Sequence, residues 1–199
     1  MQNQKAVKLY DEGRNLQQQA KLSAAERAYR KAIKINPKFV EAHNNLGNVL
    51  VDRDRLKEAT GAYRRALKLR PDHPMLLNNL GNAPQLQGEN EKAIEWFNKA
   101  LTQDPNYADA YSNQGNALNG LKDLDKAIDS YRKAIAIEPK NKEAHNGLAN
   151  VLVQKDEIDL AIESYKKVIE IDPGHKDAYI GLGNALFEKD KSEQAIPYY

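Results

Sequence analysis

Cysteine is absent from this sequence of 199 residues, tryptophan occurs once, methionine twice and phenylalanine three times. Without thiols, the chain can form neither disulfides nor thiolate metal sites. No apolar run approaches the roughly 20 residues that a membrane-spanning helix needs. The first residues, MQNQKAVKLYDEG, contain no apolar stretch of the kind found in a secretory signal. We therefore expect a cytoplasmic protein with no membrane span.

Charged residues are abundant by contrast, and they are unevenly distributed. They make up 29% of the chain, against 41% apolar residues, a mixture typical of globular and repeat proteins. Residues 1–70 contain 16 Lys and Arg and 7 Asp and Glu, whereas residues 71–199 contain 14 and 21. This asymmetry indicates either solvated outer faces or a role in head-to-tail self-association or in binding an acidic partner. Basic pairs such as Arg64-Arg65 alternate with acidic residues, which argues against nucleic-acid binding.

An internal repeat of 34 residues organises the chain. Leu-Gly or a close variant recurs at 46–47, 80–81, 114–115, 148–149 and 182–183. Three residue types follow the same period: proline at Pro37, Pro71, Pro105, Pro139 and Pro173; alanine at Ala25, Ala59, Ala93, Ala127, Ala161 and Ala195; and an aromatic residue at Tyr29, Tyr63, Phe97, Tyr131, Tyr165 and Tyr199. Because chance does not keep so many positions in phase, the sequence predicts a stacked repeat architecture.

With this spacing, the sequence resembles the tetratricopeptide repeat family, whose pattern places Leu-Gly, Ala, an aromatic, Ala and Pro over 34 residues. The departures are few: Glu12 and Gln114 replace a Leu, and Ala149 replaces a Gly. The resemblance implies an all-α, right-handed α-solenoid of antiparallel helix pairs, forming a single domain over residues 1–199. Its five full repeats would be residues 6–39, 40–73, 74–107, 108–141 and 142–175, followed by a partial sixth at 176–199.

The physical chemistry of the second repeat supports this architecture independently. VEAHNNLGNVLVDR and KEATGAYRRALKLR both show apolar residues at helical spacing. Gly47 and Ala59 are small enough to let the two helices approach closely, and Leu50 and Tyr63 would fill the space between them. Pro71 cannot continue the second helix, so we expect it to end that helix and begin the next repeat.

The last repeat stops at Tyr199, after the first eight residues of its second helix, SEQAIPYY. Pro197 would remove a backbone hydrogen bond there. Since a solenoid needs a polar cap at each end, two explanations stay open. Either the chain is a fragment of a longer protein, or this uncapped end packs against another copy of itself.

A row of asparagines is the most distinctive surface feature. The family resemblance implies that the first helix of each repeat lines a concave groove, with positions 5, 6 and 9 of the repeat facing it. The asparagines at these positions are Asn44, Asn45, Asn48, Asn78, Asn79, Asn82, Asn113, Asn116, Asn146, Asn150 and Asn184. An amide both donates and accepts hydrogen bonds, so such a row can pair with an extended peptide backbone. Alternatively, these asparagines bond the neighbouring repeat, and the two roles are compatible.

Three functional hypotheses follow. The first is a non-catalytic interaction module or scaffold that binds an extended peptide in the asparagine-lined groove, which resembles the repeat region of O-linked N-acetylglucosamine transferases. The second is a substrate-recruiting fragment of a larger enzyme of the glycosyltransferase or methyltransferase type. The third is a self-assembling structural protein. The family's clamp for C-terminal carboxylates is not expected, because Tyr10, Met75 and Asn79 occupy positions where it needs cations.

No catalytic or cofactor motif competes with these hypotheses. The sequence contains no His-Glu-x-x-His pattern, no P-loop and no nucleophile elbow. His43 and His145 share one repeat position, and His73 and His175 share another. Repeated positions are typical of packing and loop capping, so we predict no metal, no cofactor and no catalytic residue.

Proline 84 interrupts an otherwise regular pattern. The same position holds Leu16, Leu50, Leu118, Leu152 and Leu186 in the other repeats, and we expect these leucines to be buried. Pro84 loses that side chain and also the hydrogen bond to the carbonyl of Leu80, at a cost of about 3 kcal/mol. It could kink the helix and change the pitch of the superhelix, be a tolerated substitution, or promote exchange of helices and hence self-association.

Overall fold

The computed structural model describes residues 2–189 and 195–198, and within them the chain is all-α, with no strand. The helices group into two compact units, residues 1–103 and residues 104–199. The fold is a helical repeat in which consecutive helices pair, as the 34-residue period predicts.

The first unit contains three helix pairs. Its helices are α1 (Gln2–Gln18), α2 (Leu22–Ile35), α3 (Val40–Asp52), α4 (Leu56–Leu69), α5 (Pro74–Leu86) and α6 (Asn90–Gln103). Each odd-numbered helix packs extensively against the helix that follows it, and the pairs stack through α2 on α3 and α4 on α5. The turns within each pair are short, which makes the paired helices antiparallel neighbours.

The second unit continues the same scheme. Its helices are α7 (Ala108–Gly120), α8 (Leu124–Ile137), α9 (Lys142–Gln154), α10 (Ile158–Ile171) and α11 (Lys176–Glu188), followed by a 3₁₀ turn at Ile196–Tyr198. The expected helix SEQAIPYY is thus described only as this short turn and Ala195, which is 1% exposed. Its remaining residues, including the aromatic Tyr199, lie outside the described residues.

Close approach of the paired helices rests on a glycine facing an aromatic ring. A Cβ atom on Gly81 would lie 2.6 Å from the Phe97 ring, and one on Gly115 would lie 2.7 Å from the Tyr131 ring. Only glycine leaves room for the ring at these points. The periodic alanines are all buried as well, from Ala25 to Ala195. The predicted role of the small residues and aromatics in the core is confirmed.

In the first five helix pairs, from α1–α2 to α9–α10, the turn contains one residue in the left-handed backbone region. These residues lie at position 15 of their repeats and are Ala20, Asp54, Gly88, Lys122 and Asp156, with φ between 55° and 75°. Gly88 adopts this conformation without a steric penalty, whereas the other four are L-residues in a region that costs them energy. The regular spacing of these turns keeps the helix pairs in register.

Helix α4 ends at Leu69, two residues before Pro71, as predicted. The next helix begins only at Pro74, because Asp72 takes a left-handed conformation, with a φ of 62°, between the two. Pro71 therefore lies in the connecting turn rather than at the helix start. Pro74 takes the first helical position, where its missing N–H costs nothing.

Helix α5 passes through Pro84 and continues to Leu86. The equivalent leucines are buried as expected at Leu50, Leu118, Leu152 and Leu186, whereas Leu16 is only half-buried. Pro84 offers no amide to the carbonyl of Leu80, and nearby the Gln87 side chain donates to the carbonyl of Ala83 at 3.1 Å. The helix therefore tolerates the proline. Its effects on pitch and on helix exchange stay predictions.

Candidate functional site

The asparagine at position 9 of the repeat is held by the tyrosine of its own helix pair. The hydroxyl of Tyr63 donates to Oδ1 of Asn48 at 2.7 Å. In the second unit, Tyr131 donates to Asn116 and Tyr165 to Asn150 at the same distance. The tyrosine is the core aromatic of the repeat, so the packing of the helix pair sets the orientation of the amide.

These tyrosines are in the donating form at neutral pH, and burial widens the pH range over which they stay so. Removal from water raises the pKa of Tyr63 above its ordinary value, with a further contribution from the negative charge of Asp52. Burial likewise raises the pKa of Tyr131 and of Tyr165. Each hydroxyl therefore stays protonated at neutral pH and continues to donate to the asparagine oxygen.

This bond leaves the NH₂ group of the amide available. Among the described residues, none of the three Nδ2 atoms, in Asn48, Asn116 and Asn150, has a hydrogen-bond partner. Asn48 is half-buried and the other two are exposed. What these positions offer to a ligand is therefore a pair of N–H donors, because the carbonyl oxygen is already engaged.

The third repeat departs from this arrangement. Its core aromatic is Phe97, which has no hydroxyl, and Oδ1 of Asn82 is buried without a hydrogen-bond partner among the described residues. The first repeat departs differently, since Arg14 occupies position 9 and Tyr29 donates instead to Oε1 of Gln17 at 2.9 Å. The sequence shows both substitutions, but the pairing between positions 9 and 24 becomes evident only in three dimensions.

Asparagines at positions 5 and 6 connect successive repeats in the first unit. Nδ2 of Asn79 donates to Oδ1 of Asn44 at 2.9 Å, and Nδ2 of Asn44 lies 3.3 Å from Oδ1 of Asn45. Nδ2 of Asn45 in turn donates to the hydroxyl of Tyr10 at 3.1 Å. We call Asn79, Asn44, Asn45 and Tyr10 the amide relay. Asn44 is only 4% exposed, so its amide serves the contact between repeats.

Within the described residues of the second unit, the fifth and sixth repeats have no such relay to the repeat before them, because glycine replaces asparagine at their position 6. Gly147 and Ser112 occupy the repeat positions of the bonded pair Asn79 and Asn44. Gly181 and Asn146 occupy the same two positions one repeat later. The hydroxyl oxygen of Ser112 and Oδ1 of Asn146 are buried without a hydrogen-bond partner among the described residues. The ring of Tyr131 fills the space beside Gly147, where a Cβ would lie 2.5 Å from it.

The remaining predicted asparagines differ in exposure. Asn78 is 3% exposed, Asn113 is half-buried and Asn184 is exposed. Each of the three makes interactions with its surroundings. A row of equivalent asparagines in the sequence is therefore not a row of equivalent ligand-binding groups, since position 5 is buried and position 9 is accessible.

A charged cluster in the first unit was not expected from the sequence. The carboxylate of Glu26 on α2 is 7% exposed and pairs with Arg30 at 2.8 Å, with Arg55 at 2.7 Å and with Arg53. Burial alone would raise the pKa of Glu26, but hydrogen bonds from Arg30 and Arg55 outweigh it and lower that pKa. The alternation of charge along the chain gave no sign that one carboxylate was enclosed.

Three of the histidines make hydrogen bonds to the backbone, whereas Nδ1 of His73 is buried without a hydrogen-bond partner among the described residues. Nε2 of His43 lies 2.9 Å from the carbonyl oxygen of Pro37, and Nε2 of His145 lies 3.0 Å from that of Pro139. Nδ1 of His175 accepts from the amide of Ala178 and caps α11. Nowhere in residues 2–189 and 195–198 do three potential metal ligands come together.

Family models match most of the chain. A tetratricopeptide repeat model matches residues 10–74 and 47–108, a second tetratricopeptide repeat model matches residues 108–141, and a TPR repeat model matches residues 149–190. The chain belongs to the tetratricopeptide repeat family. No curated protein matches it.

Solved structures of other tetratricopeptide repeat proteins share its fold. MamA is 27% identical, with a TM-score of 0.66, over 81% of this chain and 94% of MamA. YrrB, described as a TPR protein with an unusual peptide-binding site, is 26% identical, with a TM-score of 0.61, over 86% of this chain and 88% of YrrB. PilF of Pseudomonas aeruginosa is 20% identical, with a TM-score of 0.83, over 99% of this chain and 90% of PilF. At this identity the likeness shows the fold alone.

None of the helices in the described part of the chain combines the length and the apolar character that crossing a membrane requires. Family membership and these relatives indicate a protein-interaction module. The geometry of the position 9 asparagines then bears on how such a module could hold its partner.

Proposed function

We propose that this tetratricopeptide repeat protein binds an extended segment of a partner protein against the first helices of its repeats, with no catalytic chemistry of its own. The observation that carries the proposal is the orientation of Asn48, Asn116 and Asn150. In each, the hydroxyl of a buried tyrosine holds Oδ1, and Nδ2 has no partner in the part of the chain that the structure describes. The donor is therefore fixed in place before a ligand arrives.

Pre-orientation matters because an extended peptide offers its main-chain carbonyl oxygens at regular intervals. A donor already held by the core loses little side-chain entropy when the peptide binds. Hydrogen bonds to main-chain carbonyls do not depend on side-chain identity, so this surface would accept many sequences. Selectivity would come from neighbouring residues, such as the exposed Met75 and Ile180 on the first helices.

The peptide-binding site named for YrrB supports this function by likeness, since that protein shares the fold and 26% of its residues with this chain. The other two hypotheses, a recruiting fragment of a larger enzyme and a self-assembling protein, stay predictions. So does the cytoplasmic location.

The proposal can be tested with a peptide selected on the protein itself from a display library of unstructured 12-residue sequences. Replacing Asn48, Asn82, Asn116 and Asn150 by Ala should weaken binding of that peptide by about tenfold or more, since each lost hydrogen bond contributes about 0.5–1.5 kcal/mol. Fluorescence anisotropy of the labelled peptide measures the change, and circular dichroism checks that the variant is folded.

A matched control removes polar side chains elsewhere. Asn15, Gln103 and Asn106 are exposed and lie outside positions 5, 6 and 9. Their replacement by Ala should leave the affinity unchanged. If the position 9 variant is folded and binds as tightly as this control, the proposed site is wrong.

A further inference from the structure

A cavity of about 350 Å³ lies in the first unit, where α4 meets α5 and α6. Lys57, Thr60 and Arg64 of α4 form one wall, and Leu80, Pro84 and Trp96 form the other. None of the position 9 asparagines lines it. Its volume is that of a small ligand site, sufficient for one or two amino-acid side chains.

Two departures from the repeat pattern line this space. Pro84 stands where four equivalent leucines are buried, and it fills less volume than leucine. Trp96 stands where the other repeats have Ala28, Ala62, Ser130 and Ser164, all of them buried. Trp96 is itself half-buried and packs beside the core of the first unit. The result is an apolar wall of Leu80, Pro84 and the indole ring that opens to solvent.

The equivalent place one repeat earlier is occupied by the protein's own carboxylate. Glu26 lies at position 21 of the first repeat, and its carboxylate pairs with Arg30 at position 25 of the same helix. Arg53 and Arg55 of the next repeat pair with it from the other side. This contact between repeats is thus built around one enclosed anion.

In the cavity, that anion is missing and the cation on its own helix is kept, whereas Gln87 and Glu89 stand where Arg53 and Arg55 stand one repeat earlier. Thr60 takes the position of Glu26, and its hydroxyl donates to the carbonyl of Leu56 at 3.0 Å. Arg64 takes the position of Arg30, and the side chains of Arg64 and Lys57 have no hydrogen bond or ion pair among the described residues. Lys92 and Glu89 also line the cavity but pair with each other at 3.1 Å.

We propose that this cavity binds the side-chain carboxylate of a glutamate in a partner protein. The carboxylate would pair with Arg64, which takes the position of Arg30, and with Lys57, which lines the same wall of the cavity. The methylene groups of the glutamate would lie against Pro84 and Trp96, which are apolar. Arginine suits this role because its planar group donates two parallel hydrogen bonds to a carboxylate. The site is separate from the asparagines of the proposed peptide surface.

Trp96 is the only tryptophan of the chain, so its fluorescence reports on the cavity directly. The probe is acetyl-Ala-Glu-Ala-amide, and the control probe is the same peptide with Gln in place of Glu. At low salt, the Glu peptide should change Trp96 emission in a saturable way and bind about tenfold more tightly than the Gln peptide, as charge-assisted hydrogen bonds imply. Raising the salt concentration should weaken the Glu peptide alone.

Two substitutions on α4 separate the proposed site from non-specific attraction. Thr60→Glu restores a carboxylate four residues before Arg64, the spacing of Glu26 and Arg30, and should abolish the response to the Glu peptide. Thr60→Gln has nearly the same volume without the charge and should retain it. Arg64→Gln, at an exposed position, should lower the affinity to that of the Gln peptide.

The proposal is overturned if the Glu and Gln peptides bind equally, or if Thr60→Glu responds to the Glu peptide as fully as Thr60→Gln does. Loss of the response in the Asn48, Asn82, Asn116 and Asn150 variant would also contradict it, because the cavity would then not be the site of binding. A circular dichroism melt of each variant confirms that it is folded.

Discussion

The two units of the molecule build the same helix pairs but join successive repeats with different chemistry. In the first unit, the amide relay and the carboxylate of Glu26 make the contacts polar. In the second unit, Gly147 and Gly181 replace the relay asparagines, and Ile128 and Ile162 occupy the position of Glu26. Those isoleucines are 5% and 7% exposed. The repeat pattern therefore specifies the helix pair, while residues outside the pattern decide what holds one pair to the next.

This difference has an energetic consequence. Ile128 and Ile162 of the second unit make apolar contacts that do not depend on protonation, and the ion pairs between its repeats, such as that of Lys155 with Asp125, are on the surface. The first unit relies in addition on the enclosed charge of Glu26, whose neutral form is less well bound. Each unit also leaves two buried polar atoms without a partner among the described residues, in His73 and Asn82 of the first and in Ser112 and Asn146 of the second, so this cost does not distinguish them. Transplanting residues between the units tests each half of the comparison.

The largest effect on stability should come from putting an asparagine of the amide relay at the equivalent position of the second unit. Gly147→Asn adds a Cβ atom 2.5 Å from the Tyr131 ring, so the ring or the helix must shift. We expect the free energy of unfolding to fall by about 1–3 kcal/mol, as overpacking usually costs. Denaturant unfolding followed by circular dichroism measures the change.

Gly61→Ala is the control for that substitution. A Cβ atom on Gly61 would have no neighbour within 4 Å, and the residue lies inside α4. It should stabilise the protein by about 0.5–1 kcal/mol, the helix preference of alanine over glycine. If Gly147→Asn is equally stabilising, the second unit does not depend on glycine at this contact.

A comparable or somewhat smaller effect should follow when the enclosed charge of the first unit is removed. Glu26→Gln weakens hydrogen bonds to two or more arginines and should cost about 1–3 kcal/mol. Glu58→Gln is the control, since Glu58 is an exposed member of the same cluster and its replacement should cost clearly less stability. If both substitutions lowered the free energy of unfolding equally, burial of Glu26 would contribute nothing to stability.

The enclosed carboxylate of Glu26 should also make the stability of the protein depend on pH. The folded-state pKa of Glu26 lies below its ordinary value of 4.5, so the carboxylate contributes stability that is fully present above that value. The contribution is lost as the pH falls through the lowered pKa. Below about pH 4.5, the wild type should therefore lose stability more steeply than Glu26→Gln. Parallel curves over this range would contradict the assignment.

The smallest effect should come from exchanging hydroxyls between the core aromatics. Tyr131→Phe leaves Oδ1 of Asn116 without its donor and should cost about 1 kcal/mol. Phe97→Tyr offers a hydroxyl to the unpaired Oδ1 of Asn82 and should stabilise the protein by up to about the same amount. Thermal melts measure both changes, and a shift of the same sign in the two variants would refute the pairing of positions 9 and 24.

Much of the fold could be predicted from the sequence because the repeat fixes the helix pairs. Gly81, Phe97 and the periodic alanines occupy the core as their period indicates. The role of each asparagine could not be predicted, because Asn44 and Asn48 belong to the same helix and the same residue type. Only the packing of the pair shows that one amide is buried between repeats and that a tyrosine orients the other.

The effects of Pro84 illustrate the same limit. The sequence shows that a buried leucine is lost, and it predicts the missing hydrogen bond. It does not show that Trp96, twelve residues later, lies against the space that results, or that Thr60 stands where another repeat places a carboxylate. Such relations between repeats depend on how neighbouring pairs stack, which no short motif encodes.

The central claim is that Nδ2 of the position 9 asparagines binds the partner, while Oδ1 serves the fold. Replacing Asn48, Asn116 and Asn150 by Asp separates these roles, since aspartate still accepts from tyrosine but cannot donate. A control that changes Asn15 and Asn106 to Asp and Gln103 to Glu adds the same charge at exposed positions outside this surface. Calorimetric titration with the display-selected peptide should show binding lost in the first variant and kept in the control. Unchanged affinity in a folded Asp variant would contradict the account.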